Sequence, residues 1–360
     1  MTININSKKI GPNRPVFIIA EIGKNFIQTK EEKSVEEYLA NAKKLIVAAK
    51  SAGADAVKFQ THNVEDEQLN VDITSPHFSA LDRYTWVKRN TEATPLKFWQ
   101  EIKKYCDEIG IIFFSTPMSR GAAKILEQVN VPAWKVGSAD ILDFVLLDYL
   151  AQTSKPILIS SGMSTLAEID LAIDFLKKRT GQIILLYCVS KYPCLPEDLN
   201  LKTIEFFQKR YGLPVGFSDH SLGHDSALAA AEIGAVVIEK HFSLSRDLWG
   251  ADHKVSMTPK EFKTMVEKIR KGETVNLDLY SQESESLTDG EAVFRSIFRK
   301  SLMAGRDIKA GEKLKPEMIY AMRPQKDVLA LPSEKYEEII NKKVIKDLSK
   351  YDPITFDILE

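Results

Sequence analysis

Two apolar runs of this 360-residue chain end in histidine: PVGFSDH closes on His220, and AVVIEKHF carries His241. Side chains alternate along an extended strand, so residues two apart point the same way. Ser218 and His220 therefore share a face, as do Glu239 and His241, while Ile238 and Lys240 take the other side. If the two runs pair as neighbours, their backbones lie roughly 5 Å apart. Two imidazoles at that separation, with Asp219, Glu239 and Asp252 close by, could hold a divalent metal. Two histidines completed by oxygen ligands suit Mn²⁺ or Mg²⁺, and Zn²⁺ is also compatible. The plainer reading is that each histidine makes hydrogen bonds at its strand end; the coincidence of two favours the metal.

A second group of residues suits an anion. In DAVKFQ, Lys58 and Gln60 lie opposite Val57 and Phe59, which should face a covering layer and turn Lys58 inward. Lys135 ends another run, and Thr116, Ser138, Ser160, Ser161 and Ser218 bring hydroxyls to further run ends. Cations with hydroxyls and helix N-termini bind phosphate or carboxylate. Each serine or threonine has a plainer use as a helix N-cap. Inward lysines are harder to explain that way, because an unpaired buried charge costs on the order of several kcal/mol. Glu21, ending the first run, could accept hydrogen bonds from a polyol or move a proton; it could equally pair with Lys58 or Lys135.

These residues need a scaffold that brings run ends together. The runs are VFIIAEI, DAVKFQ, IIFFSTP, AWKVGSAD, PILISSG, IILLYCVS, PVGFSDH and AVVIEKHF, eight in all, separated by helix-like stretches such as VEEYLANAKKLIVAAKSAG and AEIDLAIDFLKKRTG. Gly53, Gly110, Gly181 and Gly234 stand where helix C-caps are expected. Near-continuous apolar strands alternating with helices indicate a parallel sheet covered by helices. Eight such units fit a TIM (β/α)8 barrel, whose catalytic residues sit at the carboxyl ends of the strands. The alternative, a doubly wound sheet, usually has a Gly-rich turn after its first strand, where this chain reads EIGKNF.

The barrel is expected over residues 1–270, a polar linker over 271–294, and a small domain over 295–360, punctuated by Gly305, Gly311, Pro316, Pro324, Pro332 and Pro353. A domain that small is expected to dock on the barrel or on a partner chain. Thr61 to Thr94 is long for a βα connection and carries His62, His77, Tyr84 and Trp86, so it reads as a lid.

Composition excludes other classes. A net charge of −1 offers no basic field for nucleic acid or an anionic membrane. No apolar run approaches a membrane span, and the N-terminus lacks the apolar core of a signal peptide. Cys106, Cys188 and Cys194 form no CxxC or metal spacing, which suits a reducing compartment. A soluble, cytoplasmic protein is expected.

The strand-end motifs FIIAEIGKN, GADAVKFQ, FFSTPMS, WKVGSADI, PILISSGMS, GFSDHSLG, IEKHFSL and GADHKVSMTP resemble those of the sialic acid synthase family, including its legionaminate and pseudaminate synthase-like members. KSLMAGRDIKAGEKLKPEMIYAMRP resembles the antifreeze-like (SAF) domain that follows the barrel there. The family joins phosphoenolpyruvate to an N-acetylated hexosamine with loss of phosphate. The resemblance implies a transferase with His220 and His241 on a divalent metal, usually Mn²⁺. It implies that Lys58, Thr116, Lys135, Ser138, Ser160, Ser190, Tyr192 and Ser218 surround phosphoenolpyruvate. Glu21, Asn25, Gln60 and Asp252 fall on the sugar side, and Glu21, Lys58, Glu239 and Asp252 are its candidates for catalysis. Arg323 matches an arginine that reaches the N-acetyl group from the other protomer, which implies a domain-swapped homodimer.

The chain departs from the family at Phe26, where an Asn-His pair is usual, at Ser190, where an Asn is common, and at Gln325-Lys326-Asp327 in place of a Gly-rich stretch. These departures bear on the acceptor, which N-acetylmannosamine and a diacetamido-trideoxyhexose both suit. Two alternatives stay open: a Schiff-base aldolase using Lys58, Lys135 or Lys240, and a catalytically inactive sugar-binding paralogue.

Overall fold

Each of the eight apolar runs forms a strand of one parallel sheet: β1 Phe17–Gly23, β2 Ala56–Thr61, β3 Ile112–Pro117, β4 Trp134–Val136, β5 Ile157–Ser160, β6 Ile183–Cys188, β7 Val215–Asp219 and β8 Val237–His241. The computed structural model describes residues 1–75, 78–280, 289–326 and 328–360. Ladders run in the order β3, β2, β1, β8, β7, β6, β5, β4. With β3 and β4 side by side the ring closes, giving the expected (β/α)8 barrel.

Alternation along the strands separates lumen from helix layer. Phe59 leaves the lumen and packs against Trp99 and Phe113 at ring-centroid distances of 6.0 and 5.9 Å, which turns Lys58 and Gln60 inward. The helices begin on reciprocal caps where the sequence offers them: Ser34 with Glu37, and Thr165 with Glu168. Gly110 and Gly234 end theirs in the left-handed conformation. Gly181 has no such role; its helix ends at Lys177. At the amino end of the barrel a hairpin of Ile3–Ile5 and Lys8–Ile10 buries its isoleucines, and Lys8 pairs with Asp55 just before β2.

The Thr61–Thr94 connection is folded rather than extended, with helices Val64–Glu67 and Arg83–Ala93. Trp86 is buried against Phe78 and Trp249, and Arg89 clamps the carbonyls of Thr29, Lys30 and Glu31. His62 is tied to Glu67 at 2.8 Å, and His77 lies outside the described residues.

The expected linker, 271–294, needs correction. Its far end belongs to helix Asp289–Phe298, which runs across the expected boundary and packs on the barrel mouth, while residues 281–288 lie outside the described set. Amphipathic spacing (Glu291, Phe294, Arg295, Phe298) explains this: the polar tract continues into a helix with one face to bury. The small domain pairs Ser301–Ala304 with Ile319–Met322 and buries Leu302, Ile308, Leu314, Ile339, Val344 and Ile354. It docks on the barrel of its own chain. Arg120 donates to the carbonyls of Pro316 and Ile319, Ser333 to Leu142, and the backbone of Arg323 pairs with Glu67 and Leu69.

Candidate active site

The carboxyl ends of the strands surround a hollow of about 870 Å³, part of it open to solvent. Register brings the chemistry together. Glu21 on β1 stands beside Lys58 on β2 and His241 on β8, and Glu239 on β8 beside Ser218 on β7. Lys58 Nζ meets Glu21 Oε2 at 2.7 Å and donates to Thr116 Oγ1 at 3.0 Å. Lys135 Nζ donates to Ser160 Oγ at 2.7 Å. Between the two lysines sits Glu239, 3.8 Å from Lys58 and 3.6 Å from Lys135, accepting from Ser218 Oγ at 3.0 Å. Gln60 Nε2 donates to the other oxygen of Glu21 at 2.8 Å. Gly23 turns the chain directly above: its φ is +53°, and a Cβ there would lie 3.2 Å from Glu21 Oε1 and 3.3 Å from Gln60 Nε2.

Burial and charge divide these groups. Burial raises Glu239, but Lys135, Lys58 and Ser218 outweigh it and hold the carboxyl at about 2, so it stays ionised. Glu21 moves the other way: burial, helped by Glu239, lifts it above the ordinary carboxylate value despite Lys58. Burial opposes the charge on Lys58, yet Glu21 and Glu239 keep it above the ordinary lysine value; Lys135 is drawn below it by burial.

The two histidines face each other with ring centroids 5.4 Å apart, and Tyr192 lies 4.2 Å from the ring of His220. His220 Nδ1 must donate to the Val189 carbonyl at 2.9 Å, since that oxygen only accepts, which reserves Nε2 for a ligand. Burial opposes protonation of His220, though Cys188 beside it favours the charged ring, so metal binding there would release a proton. Burial holds His241 neutral, down to about 3, and its Nδ1 is buried without a hydrogen-bond partner. Among the described residues no third His, Cys, Asp or Glu completes a three-ligand cluster. The pair therefore fits a divalent ion held by two imidazoles, with other positions left to substrate and water.

Of the residues expected here, Glu21, Lys58, Gln60, Thr116, Lys135, Ser138, Ser160, Ser190, Tyr192, Ser218, His220, Glu239, His241, Asp252 and Arg323 all line the hollow. Others do not, Ser161 among them. Asn25 turns its amide away and donates to the Phe242 carbonyl at 2.9 Å and Ser256 Oγ at 3.0 Å, so it ties β1 to β8 instead of facing a sugar. Asp219 points outward and pairs with Lys240 at 2.7 Å, which removes the one from the metal side and the other from any Schiff base. Phe26 packs among Tyr38, Phe59 and Phe98 in the core and does not line the hollow. Arg323 reaches the hollow from its own chain's small domain and pairs with Asp140. Of the Gln325-Lys326-Asp327 departure, Asp327 lies outside the described residues.

Lys24, Arg83, Asp140, Cys188, Phe294 and Phe298 also line the hollow and were missed. Asp140 was within reach, two residues after Ser138 in the fourth run. The aromatic pair comes from the helix hidden in the expected linker.

Residues 45–278 match the NeuB family and residues 299–360 the SAF domain. An uncharacterized protein of Methanocaldococcus jannaschii is 36% identical over 99% of this chain and 98% of its own length. The N,N'-diacetyllegionaminic acid synthase of Legionella pneumophila is 32% identical over 98% of this chain and 97% of its own. The crystal structure of spore coat polysaccharide biosynthesis protein spsE from Bacillus subtilis superposes with a TM-score of 0.81, at 29% identity, covering 100% of this chain and 99% of that one.

Proposed function

This chain belongs to the NeuB family and ends in a SAF domain, and on that premise we propose that it is a nonulosonic acid synthase. It would condense phosphoenolpyruvate with an N-acetylated hexosamine and release phosphate. The observation that carries the reading is the meeting, in one barrel mouth, of the His220/His241 pair with two hydroxyl-backed lysines bridged by Glu239.

The chain's own residues supply most of what the reaction needs. Lys58 with Thr116, and Lys135 with Ser160 and Ser138, suit the carboxylate and phosphate of phosphoenolpyruvate. Glu239, ionised between the lysines, fixes where they point and keeps both in register with the ligand. His220 and His241 would hold a divalent ion, Mn²⁺ by preference, which when bound supplies a Lewis acid for the acceptor's carbonyl. In the bond-forming step carbon 3 of phosphoenolpyruvate attacks the aldehyde of the open-chain sugar. Glu21, with its carboxyl lifted by burial, is placed to hold or pass the proton of the new hydroxyl, with Gln60 orienting it. Water then adds at carbon 2 and phosphate leaves by C–O cleavage. Phe294, Phe298 and Tyr192 roof the hollow and limit bulk water.

One observation keeps a second reading in view: burial lowers Lys135, the direction a Schiff-base lysine requires. Borohydride trapping with a keto acid would support that reading. A homodimer that exchanges the small domain would use the same docking faces between chains, and light scattering of the purified protein reports it. The reaction itself is tested by phosphate release from phosphoenolpyruvate across a panel of N-acetylated hexosamines with Mn²⁺. Release that requires both sugar and metal is expected; none with any sugar would sink the proposal.

A further inference from the structure

Five cations line the hollow, Lys24, Lys58, Arg83, Lys135 and Arg323, against four carboxylates, Glu21, Asp140, Glu239 and Asp252. Three cations have an obvious partner: Lys58 has Glu21, Lys135 has Glu239, and Arg323 has Asp140. Among the described residues no carboxylate lies within ion-pairing distance of Lys24 or Arg83. Carboxylates attract them only from farther away: Glu67, Asp140 and Asp252 act on Arg83, and Asp252, Glu67 and Glu21 on Lys24. What they have instead are aromatic faces: Lys24 Nζ lies 5.9 Å from the Trp86 ring centre, and the Arg83 guanidinium 4.9 Å from that of Phe298.

Arg83 is only 6% exposed, and its Nε has no hydrogen-bond partner. Burial and the neighbouring Arg323 weaken its hold on the proton, lowering it to about 10. A cation–π contact offsets only part of the cost of burying such a charge. The two cations come from different segments, Lys24 from the turn after β1 and Arg83 from the first residue of helix Arg83–Ala93, and the fold brings both to the same hollow. A neutral N-acyl carbonyl would accept a hydrogen bond from them but would leave their charge unmatched.

Resting on the synthase reading above, we propose that Lys24 and Arg83 form a subsite for an anionic substituent of the acceptor sugar, a phosphate ester or a carboxylate. Lys58 and Lys135, with their hydroxyls, serve phosphoenolpyruvate, and the second pair selects the acceptor.

The test compares N-acetylmannosamine, its 6-phosphate and the corresponding uronate as acceptors for the full chain with Mn²⁺, in the wild type, Arg83→Gln, Lys24→Gln and Arg83→Lys. One charge-assisted hydrogen bond corresponds to a preference of about tenfold or more in kcat/KM for an anionic acceptor. Arg83→Gln should remove most of that preference and Arg83→Lys restore much of it; the better of the two anionic acceptors identifies the group. Equal use of neutral and anionic sugars, or equal losses with both in Arg83→Gln, would overturn the proposal. So would a change confined to KM for phosphoenolpyruvate. Calorimetric binding of the same sugars without phosphoenolpyruvate separates the two readings. Arg83-dependent binding of the anionic sugar without any turnover would keep the subsite and discard the synthase.

Discussion

Glu291 reaches over from helix Asp289–Phe298 and accepts the backbone N–H of Ser190 at 2.9 Å. The same oxygen accepts the N–H of Met163 at 2.9 Å. Just beyond β6 and β5, these two amides form a cradle for negative charge in the hollow that also holds Lys135, Ser138 and Ser160. An in-chain carboxylate fills it here, and the negative charge stands where the anionic substrate is expected to approach.

Neutralising that carboxylate while keeping its shape should help the substrate anion. Glu291→Gln can still accept from both amides but removes the repulsion, so KM for phosphoenolpyruvate is expected to fall about fivefold, roughly 1 kcal/mol. Initial rates at saturating sugar measure this. An unchanged or raised KM would mean that Glu291 serves only to anchor the helix.

Metal dependence follows from the histidine pair. His241→Ala removes one of two imidazoles, with no third protein ligand among the described residues to compensate. Mn²⁺ titrated calorimetrically into the chelator-treated variant should bind at least about a hundredfold more weakly, since loss of even an outer-shell partner costs roughly 10–100-fold. Retained affinity would contradict the assignment.

The strands were legible because a buried parallel strand is written as a nearly unbroken apolar run, and the strand-end rule then led to Glu21, Lys58, Lys135, Ser218, His220 and His241. Asp219 was misplaced only by setting aside the alternation that puts it opposite Ser218 and His220. Asn25 failed for a different reason. Once Gly23 turns the chain, period-two alternation no longer says where a side chain points, and its amide found carbonyl and hydroxyl partners in the β8 region. Lys24 and Arg83 were invisible because loop and helix placement over the barrel is set by tertiary packing, chiefly Trp86 against Phe78 and Trp249. Phe26 shows how a substitution in a motif can leave the site altogether by joining the aromatic core.

Docking of the small domain should depend on Lys300. It is buried between Asp140 at 2.9 Å and Asp143 at 2.7 Å, and Asp140 also holds Arg323. Lys300→Met leaves buried carboxylates short of a partner, a loss of about 3–5 kcal/mol. Calorimetric melting should fall by roughly 5–10 °C. An unshifted melting temperature would show that the ion triad contributes nothing net.

Acid sensitivity should trace to Glu67, which lies under Arg323 and is bonded to His62. Burial pushes its carboxyl up, but His62, Arg323 and Lys300 outweigh burial and lower it from 4.5 to about 2. A carboxylate with a depressed folded-state pKa contributes stability that is complete above its unfolded value and is lost as pH falls through the folded one. Its share should therefore be present at pH 7 and fade from roughly pH 5 down to pH 2. Glu67→Gln should be less stable at neutral pH, yet its urea midpoint should change less than the wild type's between about pH 5 and pH 3, because the variant has no proton to take up at this position. Parallel pH profiles for the two proteins would show that Glu67 is not the group that titrates.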